Sequence, residues 1–163
     1  EYWAQVNDDK KRANLDPFLL LSVIRQESAF KTTAVSRSGA VGLMQMIPPT
    51  AEEVKRELGE TIEVPKDLTD PNINIKFCAY YLAKLIKKFD GSIPLALAAY
   101  NAGPTRISQF IKAQGGTLKD TWVDELPLSE TTFYVKSILK NYIVYKMLYA
   151  GQSQLGTPPW AAP

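Results

Sequence analysis

Ile24-Arg-Gln-Glu-Ser-Ala-Phe30, running on to Gly42-Leu-Met-Gln-Met46, is the stretch around which the rest of the chain is organised. Read as a helix from Asp16 to Ala29 at about 100° per residue, it sets Leu20, Val23, Ile24 and Phe30 along one side. Glu27 falls within that apolar stripe, whereas Ser22, Arg25 and Gln26 point elsewhere. A carboxylate on the face a helix buries loses solvation of its charged form, which raises its pKa and suits a general acid near neutral pH. A glutamate at the edge of such a stripe more commonly reaches solvent, so its position alone leaves both readings open.

Composition narrows the chemistry. The 163 residues are 45% hydrophobic and 22% charged, the balance of one ordinary globular domain with a real core. A net charge of +2 and a pI near 8.6 give no case for nucleic acid, and the lysines form no run interleaved with aromatics. There is one cysteine, Cys78, and no histidine. That excludes an intrachain disulfide, Cys/His zinc sites, Ser-His-Asp triads and Cys-His dyads. Acid–base chemistry near pH 7 must then rest on a perturbed Glu, Asp, Lys or Tyr. Cys78 lies on an apolar helical face and reads as a small core residue. No secretory signal and no apolar run of membrane length is present, and the abrupt opening leaves room for a removed signal or further domain.

The chain reads as mostly α. Residues 2 to 13 carry a weak helical pattern, and Asp16-Pro17 then supplies an N-cap followed by proline at the first helical position. Lys31 to Val41 is a loop beside the helix that carries Glu27. Thr50-Ala-Glu-Glu53 predicts a capping box opening a short helix that Gly59 ends. Asp70-Pro71 repeats the cap-and-proline start for a long helix buried through Cys78, Tyr81, Leu82, Leu85, Ile86 and Phe89. Ile93 to Asn101 is apolar nearly all round and should lie at the centre of the core. A shorter amphipathic helix runs to Ala113, and an irregular stretch from Thr117 to Leu128 holds Trp122. Ser129 caps a last long helix, with Glu130 in its first turn and tyrosines recurring from Tyr134 to Tyr149, until Gly151 ends it. Residues 1–151 form the domain, and 152–163 form a tail rich in Gly and Pro.

Several polar or aromatic groups sit where packing does not ask for them: Glu27, Gln45, the pair Tyr100-Asn101, and Glu130 with Tyr134 one turn further on. Each also has a structural role open to it. Gln45 could satisfy a loop carbonyl, Tyr100 could be a core aromatic, and Asn101 could simply end a helix. Glu130 could serve only as a dipole partner.

Three segments add a resemblance. Glu27-Ser-Ala-Phe30 with Ala34-Val-Ser36, Gly39-Ala-Val-Gly42-Leu-Met-Gln45 and Pro48 resembles the first signature of the soluble lytic transglycosylases. Ala98-Ala-Tyr-Asn-Ala-Gly-Pro104 resembles the second, and Glu125-Leu-Pro127 through Ser129-Glu-Thr131 to Tyr134-Val135 the third. They stand in the family's order and spacing. The resemblance implies a lysozyme-like, all-α single domain of the goose type that cleaves peptidoglycan between N-acetylmuramic acid and N-acetylglucosamine. It implies Glu27 as the single acid and then base, and Ser36, Ser38, Gln45, Tyr100, Asn101, Glu130 and Tyr134 along the glycan groove, with Met44 and Met46 at its border. It implies no cofactor and no metal, glycan strands as the partner, a monomer within a longer protein that has an N-terminal helical region, and a place in the periplasm or cell envelope. Thr132 stands where the family often carries Arg, and Ile47 where it often carries Met; both put local groove contacts in question. The rival readings are a lysozyme-type hydrolase on the same fold and a wall-binding module without catalysis.

Overall fold

A computed structural model describes residues 2–8 and 13–149. Eight α-helices follow one another among these residues: α1 (Trp3–Val6), α2 (Pro17–Ser28), α3 (Pro48–Leu58), α4 (Pro71–Lys88), α5 (Ile93–Ala102), α6 (Pro104–Ala113), α7 (Trp122–Glu125) and α8 (Ser129–Tyr149). A 3₁₀ turn at Lys66–Thr69 precedes α4. Extended pairing among the described residues is limited to isolated bridges, from Val35 to Val41 and from Val41 to Met46. The fold is all-α, as the periodicity predicts.

Helix α5 is central because it has no polar face to give to water. Ala96, Leu97, Ala98 and Ala99 are all fully buried. The small side chains of the three alanines let α4, α6 and α8 pack directly on α5. Helix α2 lies along α8 and contributes Leu19, Leu20, Val23 and Ile24 to the same core. Burying each of these aliphatic side chains contributes about 1.5–3 kcal/mol.

The cap-and-proline starts fold as their chemistry dictates. Asp16 accepts the Phe18 N–H at 2.9 Å and Asp70 accepts those of Asn72 and Ile73, each ahead of a proline that gives up no hydrogen bond at the first helical position. Asp16 does more than cap. Its other oxygen accepts from Tyr142 at 2.8 Å and pairs with Lys146 at 3.0 Å, which ties the end of α8 to the start of α2. Burial pushes this carboxyl up, but Lys146, the Phe18 N–H and Tyr142 outweigh it and leave the pKa lowered.

Four boundaries differ from expectation. Helix α3 opens at Pro48, two residues before Thr50, with Ile47 at its N-cap; prolines at N1 and N2 begin it without a capping box. Glu53 instead pairs with Lys84 of α4 at 2.9 Å. The helical pattern near the N-terminus is realised only at Trp3–Val6 before residues 9–12, which lie outside the described residues. A short helix, α7, interrupts the stretch read as irregular, and Trp122 is buried there. Ser129 is the first helical residue of α8 rather than a residue flanking it. Gly151 and the 152–163 tail also lie outside the described residues.

Candidate active site

Glu27 occupies the last turn of α2, half-buried where α2 lies along α8. Its Oε1 accepts the hydroxyl of Tyr134 at 2.6 Å, the length of a hydrogen bond to a charged acceptor. Burial raises the Glu27 pKa from 4.5 to about 7, against the opposing pull of Tyr134. Its place at the C-terminal end of a helix works in the same direction, because the carbonyls there disfavour a negative charge. Near neutral pH the group is therefore both an available acid and an available base. Just after the acid the chain turns sharply: Ala29 and Phe30, following Ser28, take left-handed φ values of 49° and 68°. Side chains with a Cβ adopt that conformation at a cost, and such positions gather at functional sites.

Two phenols flank the acid. Tyr134, from α8, is 5% exposed, and burial together with the Glu27 charge raises its pKa well above the usual value. It keeps its proton and remains a donor to Glu27. Tyr100, from α5, is also pushed well above the usual value by burial, by Cys78 and by Glu27. Its hydroxyl donates to the Met44 carbonyl at 2.8 Å, and its ring packs against Tyr81 with centroids 5.8 Å apart. Having given its only proton to backbone, the Tyr100 oxygen can take a further hydrogen bond only as an acceptor.

The turn from Val41 to Met46 contributes Gln45. This residue has φ 52°, and its Nε2 donates to the carbonyls of Ala34 at 3.1 Å and Gly42 at 2.9 Å. Both amide protons hold the loop, so the structural role foreseen for Gln45 is real. Its Oε1 accepts from no described residue and is the atom left for a ligand.

Met44 and Met46 correct an expectation. Both side chains lie in the core, 0% and 2% exposed, and offer no surface to a ligand. The turn explains this: with Gln45 in the left-handed region, the residues on either side of it face inward together. Ser36 and Ser38 hydrogen-bond each other at 2.9 Å, and Ser36 Oγ accepts the Ala40 N–H at 3.0 Å. Their contacts are those of a loop closing on itself.

Asn101 and Glu130 form a second region. Both are exposed and line a cavity of about 340 Å³ with Arg106, Leu128, Ser129 and Thr131. Thr131, buried at 3%, donates to the Asn101 Oδ1 at 2.7 Å and joins α8 to the end of α5. In sequence, Tyr100 precedes Asn101 on α5 and Tyr134 lies one helical turn beyond Glu130 on α8. Of the two departures, Thr132 donates to the Val123 carbonyl at 3.0 Å and so holds α7 to α8, and Ile47 is an exposed N-cap. Sequence reasoning missed Arg106, Thr131 and Asn74. Thr131 follows Glu130 in sequence and Arg106 stands in α6 two residues after Pro104, while Asn74 was signalled only by its polarity on the buried stripe of α4.

An all-α domain that holds one carboxyl near neutrality under a phenol belongs to the lysozyme-like class of folds. The profile of the transglycosylase SLT domain matches residues 5–123, and the chain belongs to that family. It is 35% identical over 136 residues to the soluble lytic murein transglycosylase of Salmonella typhimurium, covering 82% of this chain and 21% of that protein. It is likewise 35% identical over 128 residues to the Escherichia coli protein of the same name, covering 77% of this chain and 20% of that protein. The chain thus spans about a fifth of the length of these curated relatives. Among solved structures it superposes on the lytic transglycosylase Slt of Pseudomonas aeruginosa, crystallised as an inactive Glu-to-Gln mutant. The TM-score is 0.81 at 36% identity, over 88% of this chain and 24% of that one. The 70 kDa soluble lytic transglycosylase of Escherichia coli gives 0.83 at 29% identity, over 90% and 24%. Among the described residues no helix is long and apolar enough to cross a membrane, and no group of three or more His, Cys, Asp or Glu could hold a metal ion.

Proposed function

We propose that this domain cleaves the β-1,4 bond between N-acetylmuramic acid and N-acetylglucosamine in peptidoglycan, without water, leaving 1,6-anhydro-muramic ends. The observation that carries the reading is Glu27 itself: burial raises its pKa to about 7 against the pull of Tyr134, with no neighbouring carboxylate among the causes. Glycosidases that use two carboxylates hold them about 5–9.5 Å apart, whereas substrate-assisted families need only one.

The steps follow from the protonation states. Protonated Glu27 donates to the glycosidic oxygen as the bond to the anomeric carbon breaks. The acetamido carbonyl oxygen of the muramyl residue attacks that carbon and forms a cyclic, positively charged intermediate. Glu27, now a carboxylate held by Tyr134, takes the proton of the C6 hydroxyl. The C6 oxygen displaces the acetamido oxygen, closing the anhydro ring and returning Glu27 to its acid form. The cation developing on the acetamido group calls for acceptors, and the Tyr100 oxygen and the Gln45 Oε1, on side chains whose protons are spent on backbone carbonyls, would supply them. Asn101 and Glu130 bind glycan next to the reacting sugars. Ser36 and Ser38 border the groove from the loop beside α2.

Murein in the names of the relatives supports this substrate, and the inactive Glu-to-Gln mutant of the Pseudomonas relative supports an essential glutamate. A peptidoglycan substrate supports a place for the domain in the periplasm or cell envelope, and relatives of which it covers about a fifth support a longer protein around it. The test is mass spectrometry of purified peptidoglycan after incubation with the domain. Ends one water lighter than reducing ends establish the reaction; reducing ends make the domain a hydrolase; intact strands make it a binding module.

A further inference from the structure

Asn74 is a polar residue with 0% exposure on the face of α4 that also carries Ile75, Cys78 and Leu82 into the core. A buried carboxamide destabilises unless its hydrogen-bonding groups are matched, and here each is. Oδ1 accepts the Met44 N–H at 2.8 Å, with the Cys78 thiol 3.7 Å from the same oxygen. Nδ2 donates to the carbonyls of Val41 and Leu68, both at 2.9 Å. One side chain thus grips the Val41–Met46 turn at two points and the 3₁₀ turn at a third.

The turn is shaped to receive it. A Cβ on Gly42 would lie 2.2 Å from Asn74 Nδ2 and 2.3 Å from the Leu68 carbonyl, and Gly42 has φ 86°. Only glycine lets the backbone close on the carboxamide. The grip leads directly to the acid centre through Met44. Its N–H is held by Asn74, and its carbonyl receives the Tyr100 hydroxyl at 2.8 Å. The next residue is Gln45, whose left-handed backbone is set by the same turn.

We propose that Asn74 is a positioning residue for the acid centre, fixing the Tyr100 hydroxyl through Met44 and the Gln45 carboxamide through the turn. The proposal rests on the reaction assigned to Glu27 above. Asn74 touches no substrate. It acts by holding two acceptors where the acetamido group must find them, and misplacement of such groups by about 1 Å costs on the order of a hundred-fold in rate.

The test is a double-mutant cycle between Asn74→Asp and Tyr100→Phe, with kcat and KM measured on soluble, uncrosslinked glycan strands. Asn74→Asp keeps the shape and the acceptor for Met44 but loses the amide protons that hold Val41 and Leu68. Gly42→Ala, which pushes the turn off Asn74 from the other side, is the second variant. All rates are taken at a temperature where circular dichroism shows each variant folded. Both variants should lose about a hundred-fold in kcat with KM within about two-fold of the parent. The double variant should be no slower than its slower single partner, because both changes disable one unit. Losses that multiply, a fall in Tm with kcat unchanged, or failure of both variants to fold at any temperature would each overturn the proposal and make Asn74 structural. Glu27→Gln separates the two levels: turnover surviving there defeats the assigned reaction, whatever the cycle gives.

Discussion

The acid centre and the cavity lined by Asn101 and Glu130 are built on opposite principles. Glu27 and Tyr134 meet where two long helices pack, and Tyr100 joins them from the core helix α5. Glu130 and Asn101 stand exposed around a 340 Å³ cavity at the starts and ends of helices. The first arrangement removes water from a carboxyl and thereby changes its chemistry. The second leaves its groups hydrated and available, which suits recognition rather than proton transfer. If the contrast is real, substitutions in the two regions should separate rate from binding.

The largest effect belongs to Glu27→Gln. The amide keeps the size of the side chain and removes the transferable proton, so kcat should fall about 10³- to 10⁴-fold. Binding to peptidoglycan, followed by co-sedimentation, should stay near that of the parent. A variant that retained more than about a tenth of the parental rate would place the acid elsewhere and dissolve the contrast.

The same substitution should report the cost of burying the carboxyl. The folded pKa of Glu27, about 7, lies above its ordinary value of 4.5. The folded state therefore holds this proton more tightly than the unfolded chain. Below pH 4.5 both states are protonated and burial carries no charge penalty. As pH rises from 4.5 to 7 the unfolded chain ionises first, and stability is lost; above 7 the loss is complete. The full loss is on the order of 3 kcal/mol. Glu27→Gln cannot ionise, so its Tm relative to the parent should rise between pH 4 and pH 8, read by thermal melts. A pH-independent difference would mean that Glu27 is not held as a buried acid.

How far this was legible in the sequence follows the same division. Helices α2 and α4 were readable because Asp16 and Asp70 cap them and prolines follow, and α5 because it is apolar nearly all round. Glu27 was readable as a polar residue on a stripe, and the motif resemblance named its neighbours. The inward turning of Met44 and Met46 was not readable, because it depends on a left-handed backbone at Gln45, a residue that does not advertise one. Neither was the role of Asn74: its partners Val41, Met44 and Leu68 are distant in sequence, and no local periodicity links them. The start of α3 was misplaced because Thr50-Ala-Glu-Glu53 fits a capping box while Pro48-Pro49 opens the helix two residues earlier.

A smaller effect is expected from Tyr134→Phe, which keeps the ring that packs in the core and removes the hydroxyl. Glu27 then loses the hydrogen bond that lowers its pKa, so its pKa should rise above about 7. The proton-donating form persists to higher pH, and the descending basic limb of kcat/KM should move upward. The carboxylate needed in the second step loses its stabilisation, and kcat should drop about ten-fold, matching a charge-assisted hydrogen bond worth about 1.4 kcal/mol. An unmoved basic limb would show that the phenol does not tune the acid.

The smallest effect should come from the cavity. Glu130 is exposed and makes no hydrogen bond to a described residue, so its carboxylate is free to accept from a sugar hydroxyl or amide. Glu130→Gln keeps one acceptor oxygen and removes the charge. An exposed hydrogen bond of this kind is worth about 0.5–1.5 kcal/mol, so KM should rise a few-fold to about ten-fold while kcat stays within about two-fold. Arg106 lines the same cavity, and Arg106→Ala supplies the matching measurement on the opposite charge. A fall in kcat of about a hundred-fold in Glu130→Gln would contradict this division of labour. It would make Glu130 a second catalytic carboxylate, and with it the two-carboxylate chemistry of a hydrolase would replace the single-acid reaction assigned to Glu27.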